Sequence, residues 1–301
     1  MNESGDRPEG SPQYQVAQQE VGRILEAAVQ ESSFGVGRLQ QVAVDLAKSL
    51  ADGDELLLQA LEPAETHLDL PRHMVNTAIF AIKIGQGAGH APEELPLVGL
   101  AACLHDVGMI IVPRQLLEKQ GGLTPEELDV VRRHPEKGFR ILQALGDEYL
   151  WLANVALHEH EREDGSGYPQ GLKEGESSKY ANLVGLADTY EALTHPRANR
   201  AMRGAFDIMK ELITTERTRF PALLLKGLIC GLSTFPVGSR VRLNSMETAR
   251  VVATNPASPL RPVVEIIVGS NGQRVQQPRR VDLSTNALLY VVESNSPVGP
   301  A

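Results

Sequence analysis

The sequence predicts a mainly α-helical protein that closes in a small β unit. Apolar residues recur near helical spacing from Tyr14 to about Leu61: Val21, Ile24, Leu25, Ala28 and Val29, then Leu39, Val42, Ala43, Leu46 and Leu50. Helix starts are marked at Pro71 and at Thr124-Pro125-Glu126-Glu127, where Thr124 caps, Pro125 takes the first position and Glu127 is the reciprocal partner of the cap. After about Leu232 the texture changes to short β-rich runs between turn residues.

In order, residues 1–13 are rich in Gly, Pro, Ser and Asp and are expected to be a disordered tail. Residues 14–62 form a helical lead-in, in which Gly35 and Gly37 separate two runs and Asp52-Gly53-Asp54 ends the second. Pro71 then opens a helix carrying His73, Val75, Ala78, Ile79 and Ile82. The segment Leu97–Leu104 is apolar except for Gly99, and it delivers His105-Asp106 at a helix end closed by Gly108. The Thr124-capped helix runs to about Arg133, and His134-Pro135 opens the next. A helix from about Asp147 to Glu161 puts Leu150, Leu152, Val155 and Leu157 into the core, and the domain that began at 63 ends near 232. In the β unit, residues 233–294, the runs Val241–Leu243, Ala249–Val252, Pro262–Val268 and Leu288–Val292 are strands, and Asn271-Gly272 is a hairpin turn. At about 60 residues such a unit is marginal alone, so it is expected to pack on the helical core, and a structural brace, a partner surface and a ligand site stay equally open as its role. Residues 295–301 form a second tail.

The formal charge of -9 over 301 residues lacks the basic field of a general nucleic-acid surface. It leaves open a small anionic substrate, because bound metal ions reverse the local sign. Cys103 and Cys230 are too few for a disulfide framework and are expected to be buried reduced thiols. No run reaches the ~18 apolar residues of a membrane helix, and Met1–Glu20 has no apolar signal segment, so a cytoplasmic protein is expected.

The chemistry gathers between His73 and Asp188. Imidazole nitrogens and carboxylate oxygens suit Zn, Mn and Fe(II), and in a vicinal His-Asp pair the carboxylate can bridge two ions while the imidazole holds one. His105-Asp106, Asp164-Gly165-Ser166-Gly167-Tyr168-Pro169 and Asp188, in this order, resemble the HD-GYP family, a branch of the HD metal-dependent phosphohydrolases, from about His73 to about Arg203. The resemblance implies a helical HD-type bundle that holds two or three divalent ions, Fe or Mn, and hydrolyses cyclic di-GMP to pGpG and/or GMP.

Carried over position by position, the resemblance makes His73, His105, Asp106 and Asp188 the ligands of one centre. Asp106, His134, Glu159 and His160 serve the other, and Asp69, four residues before His73, is a further carboxylate for a third ion. Asp106 and Tyr168 are the catalytic residues, and Tyr168, Arg197 and Arg200 face the substrate. The chain departs from the family three times: Glu159 stands where a histidine is usual, Met109 where a phosphate-binding lysine is usual, and Ala198-Asn199 lacks the usual aromatic between Arg197 and Arg200. Glutamate still coordinates Mn or Fe; methionine supplies no charge. The alternative is a weak or inactive binding module. The partners implied are cyclic di-GMP and diguanylate cyclases of the GGDEF type docking on the Gly-Tyr-Pro loop, with no nucleic acid and no membrane; for the N-terminal helices, a cap on the catalytic core, a dimer seam with a second copy and a signal relay all stay open.

Overall fold

The structure, a computed structural model, describes residues 11–62, 69–119, 121–194, 205–232, 235, 237–255 and 257–295. Helices run in the order α1 (Pro12–Val29), α2 (Gly37–Asp52), α3 (Glu55–Ala60), α4 (Leu70–Ala88), α5 (Leu95–Ala102), α6 (Arg114–Leu117), α7 (Pro125–Val131), α8 (His134–Gln143), α9 (Leu150–His158), α10 (Lys179–Thr194), α11 (Ala205–Thr215) and α12 (Ala222–Gly231). Strands β1 (Arg240–Leu243), β2 (Thr248–Ala253), β3 (Val263–Val268), β4 (Arg274–Asp282) and β5 (Val291–Asn295) follow. The chain divides into two compact units: residues up to Ile82 with His90–Glu191, and Lys83–Gly89 with the chain from Ala192 onward.

In the first unit α4 is apolar nearly all round: Met74, Val75, Ala78, Ile79, Phe80, Ala81 and Ile82 are fully buried, the pattern of a central helix. Phe80 meets Tyr190 of α10 edge-on, with centroids 5.1 Å apart. This contact, worth ~1 kcal/mol beyond the area it buries, sets the register between the helices that carry His73 and Asp188. Helix α7 begins with the expected reciprocal cap: the Glu127 N–H donates to Thr124 Oγ1 (3.3 Å) and the Thr124 N–H to Glu127 Oε2 (2.8 Å).

Several expectations are corrected. α1 starts at Pro12 rather than Tyr14, because proline is pre-set for the first turn. α9 ends at His158, so Glu159 and His160 lie just past the helix, and Leu150 is 40% exposed rather than in the core. Cys103 is buried but Cys230 is exposed. Gly108 lies inside a 3-10 turn, Val107–Ile111, and does not cap α5.

In the second unit the strands form one antiparallel sheet in the order β4-β3-β2-β1-β5. One face is packed around Phe235, Val241, Leu243, Ala249, Val251, Val264, Ile266 and Leu283. The expected run Leu288–Val292 is shifted: the strand is Val291–Asn295, and Leu288 is 84% exposed. The loop between β4 and β5 is held by the Arg261 guanidinium, which donates to the carbonyls of Leu283, Asn286 and Leu289. No helix among the described residues is long and apolar enough to cross a membrane.

Candidate metal centre

The donor residues arrive on separate elements, and local hydrogen bonds aim each ring. His105 and His134 each lie three residues past the last residue of a helix, α5 and α7, where carbonyls lack intrahelical partners. His105 Nδ1 donates to the Ala102 carbonyl (2.7 Å) and His134 Nδ1 to the Val131 carbonyl (2.8 Å). His73, on the first turn of α4, bonds through Nδ1 to Glu191 Oε2 at 2.7 Å. With Nδ1 engaged in all three, Nε2 is the nitrogen left to ligate, the carboxylate- or carbonyl-oriented arrangement of metal-binding histidines.

Two donor groups share Asp106: one is His73, His105 and Asp106, the other Asp106, His134, Glu159 and His160. Asp106 Oδ2 lies 3.4 Å from His73 Nε2 and 3.7 Å from His105 Nε2, whereas Oδ1 lies 3.2 Å from His134 Nε2. Asp188 Oδ1 faces the first group, 3.2 Å from His73 Nε2 and 3.9 Å from His105 Nε2. Glu159 also spans the two: Oε1 is 3.8 Å from both His134 Nε2 and His160 Nε2, and Oε2 is 3.7 Å from His105 Nε2.

These donors fit metal ions. Among the described residues, Glu159 is fully buried with neither oxygen hydrogen-bonded, and His105 Nε2 is likewise buried without a hydrogen-bond partner. Buried polar atoms of this kind are costly unless a ligand satisfies them. The Nε2 atoms of His134 and His160 stand 3.1 Å apart, a spacing at which two lone pairs need a cation, proton or metal, to be tolerated.

Glycines permit the approach of the ligand-bearing segments. A side chain at Gly108 would strike the His134 carbonyl, and one at Gly185 of α10 the Glu159 carbonyl. The first closes the His105-Asp106 turn onto α8, and the second seats Glu159 against α10.

Asp69 is exposed, and its Oδ1 accepts from the Arg72 N–H as a helix cap; it stands outside both donor groups. Arg197 and Arg200 lie outside the described residues. Tyr168 stacks on His160, with centroids 4.6 Å apart and planes 20° apart, and the exposed Arg132 guanidinium lies 5.3 Å from the Tyr168 centroid. Sequence reasoning missed Arg132, Glu191 and Glu161. The buried Glu161 carboxylate accepts from the N–H groups of Gln170 (2.6 Å) and Leu172 (2.8 Å), fastening the Gly-Tyr-Pro loop beside the ligands.

Electrostatics hold protons where metals would bind. Burial disfavours the charged form of His73, but Glu191, Asp106 and Asp188 outweigh it and raise its pKa well above the ordinary value. His105 is raised against burial by Glu159, Asp106 and Asp188, and His134 is pushed up to about 9 against burial by Asp106 and Glu159. Burial keeps His160 low. Near neutral pH the metal-free chain thus carries imidazolium at His73 and His134, and a metal must displace those protons. Metal affinity is therefore expected to rise with pH from neutral through about 9, where His134 gives up its proton. Calorimetric metal titrations at pH 7 in buffers of different ionisation enthalpy should show net proton release; heats independent of the buffer would contradict it.

Comparison with known proteins places this geometry. An HD domain matches residues 62–217, and a KOW domain associated with the HD domain matches residues 240–298. The chain is 31% identical over 261 residues to "Cyclic di-GMP phosphodiesterase PA4108" of Pseudomonas aeruginosa, covering 83% of this chain and 62% of that protein. It is 35% identical over 157 residues to a cyclic di-GMP phosphodiesterase of Thermotoga maritima, covering 52% of this chain and 42% of that one. The chain thus spans about half the length of these curated relatives. Among solved structures, Bd1817, an HDG"Y"P protein from Bdellovibrio bacteriovorus, shares the fold with a TM-score of 0.60 at 21% identity, over 72% of this chain and 69% of that one. With the HD signature covering half of its length and His105-Asp106 at the shared corner of two donor groups, the chain belongs to the HD domain family, of the HD-GYP type.

Proposed function

We propose that this chain is a metal-dependent phosphodiesterase that hydrolyses cyclic di-GMP to pGpG and/or GMP. The observation that carries the reading is the pair of donor groups joined at Asp106, one carboxylate oxygen turned to each. Relatives named as cyclic di-GMP phosphodiesterases support the choice of substrate. In this reading His73, His105, Asp106 and Asp188 hold one divalent ion and Asp106, His134, Glu159 and His160 the other, Fe or Mn. Glu159, with an oxygen toward each group, is a second shared carboxylate. The hydrolytic domain spans 63–232, between the lead-in of 14–62 and the β unit of 233–294.

Such ions, when bound, supply Lewis acidity toward phosphoryl oxygens and a water acidic enough to attack phosphorus near neutral pH. The remaining work falls to the chain. Burial, reinforced by the charges of Glu159, Asp106 and Asp188, pushes the Tyr168 phenol above its ordinary range, so it stays protonated and donates a hydrogen bond where charge develops on the phosphate. The Arg132 guanidinium has no hydrogen-bond or ion-pair partner among the described residues. It provides the fixed charge that Met109 does not, in a fork suited to phosphate. Arg132→Ala is expected to raise KM about tenfold with kcat changed less than about twofold, the signature of lost uniform binding. Steady-state kinetics on the metal-loaded enzyme check this, and an unchanged KM removes Arg132 from the substrate site.

A cytoplasmic setting, a GGDEF cyclase docked on the Gly-Tyr-Pro loop and a homodimer through residues 14–62 complete the reading. It is tested by turnover of cyclic di-GMP with anaerobically purified protein loaded with Mn(II) or Fe(II), products resolved by chromatography and a chelated sample as control. Product formed only in the loaded sample supports the enzyme. No product with two ions bound turns the reading to a binding module, for which Met109 and Glu159 are the sequence features.

A further inference from the structure

We infer that the N-terminal helix reaches into the metal centre: Tyr14 of α1 is a positioning residue for His73, acting through Asn76 and Glu191. The inference rests on the metal-centre reading above. Tyr14 Oη donates to Asn76 Oδ1 at 2.5 Å, Asn76 Nδ2 donates to Glu191 Oε1 at 3.3 Å, and Glu191 Oε2 accepts from His73 Nδ1 at 2.7 Å. The chain of bonds passes from α1 to α4 to α10 and returns to α4, where His73 and Asn76 sit three residues apart on one helix stripe.

Each member is buried: Tyr14 is 4% exposed, Asn76 0% and Glu191 6%. Water therefore does not substitute for a missing partner, and the loss of one bond falls on the next. A hydroxyl donor on one side of Asn76 and a carboxylate acceptor on the other leave its amide one orientation, oxygen to Tyr14 and nitrogen to Glu191. Burial pushes the Tyr14 phenol above its ordinary range, so the donor persists across working pH. With the Asn76 N–H aimed at it, Glu191 keeps its other oxygen on His73 Nδ1, and Nε2 is turned to Asp106 and Asp188. Packing alone would be served by a phenylalanine; the hydroxyl is needed only for this relay.

The consequence is a defined job for residues 14–62. A movement of α1 that breaks the Tyr14 hydrogen bond loosens the ring of a ligand, so whatever binds or shifts α1 alters metal retention without touching the active site.

The test compares Tyr14→Phe, Glu191→Gln and the double variant in the full chain. Co(II) and Mn(II) affinities are measured by titration of stripped protein, with the visible spectrum of the Co(II) form and the melting temperature with and without metal. Glu191→Gln is expected to loosen one ion about 10- to 100-fold. Tyr14→Phe should loosen the same ion about two- to tenfold, change the Co(II) spectrum, and add nothing in the Glu191→Gln background. A merely structural hydroxyl would lower the metal-free melting temperature and leave affinity and spectrum as in the wild type. That result, or a full additional loss in the double variant, overturns the inference alone. A wild-type chain that takes up no ion overturns the metal reading and this inference with it.

Discussion

Asp106→Ala is expected to strip both ions together and to reduce cyclic di-GMP turnover at least about a thousandfold, ~4 kcal/mol of transition-state stabilisation. No other described carboxylate stands as close to histidines of both groups: Oδ2 is 3.4 Å from His73 Nε2 and Oδ1 3.2 Å from His134 Nε2. Burial works against its charge, yet His105, His134 and His73 hold its pKa far below the usual carboxylate range. Removing it therefore leaves a buried cationic cluster short of its counter-charge, and the metal-free variant should lose about 3 to 5 kcal/mol of stability as well. Asp106→Asn keeps the shape and separates that loss from catalysis. Elemental analysis after gel filtration, beside the turnover assay, reads the outcome; two retained ions in either variant would contradict the shared-ligand role.

Glu159→His should change which metal the centre prefers. Glu159 brings a hard oxygen donor and a negative charge, with Oε1 toward His134 and His160 and Oε2 toward His105. An imidazole there removes the charge, offers a softer donor and reaches only one group. The affinity ratio of Mn(II) to Zn(II) is expected to fall at least about tenfold, since imidazole suits Zn better than carboxylate does. Competitive titration with both metals measures the ratio, and a ratio within about twofold of the wild type would sink the idea.

The parts of this molecule that local chemistry dictates were legible in the sequence. The Thr124–Glu127 cap needs only four consecutive residues, and β1, β2 and β3 show in their apolar runs. β4 was missed because it is an edge strand, mostly exposed, with Pro278 and arginines in place of alternating apolar residues. The donor histidines and Asp106 were visible as residue types in order. Glu191, Asn76 and Tyr14 were not, because their meaning lies in contacts across 115 and 62 positions. Gly108 was assigned the right importance for the wrong reason: backbone approach to His134, rather than a left-handed helix cap, requires it.

Both Glu161 oxygens are spent on the backbone of Gln170 and Leu172, two residues beyond the unpaired carboxylate of the candidate centre. The stretch from Glu159 to Leu172 is thereby a closed clasp, in which the candidate ligand Glu159, Tyr168 and the fastener Glu161 are held together. A single residue inserted within it is expected to displace Glu159, His160 and Tyr168 together.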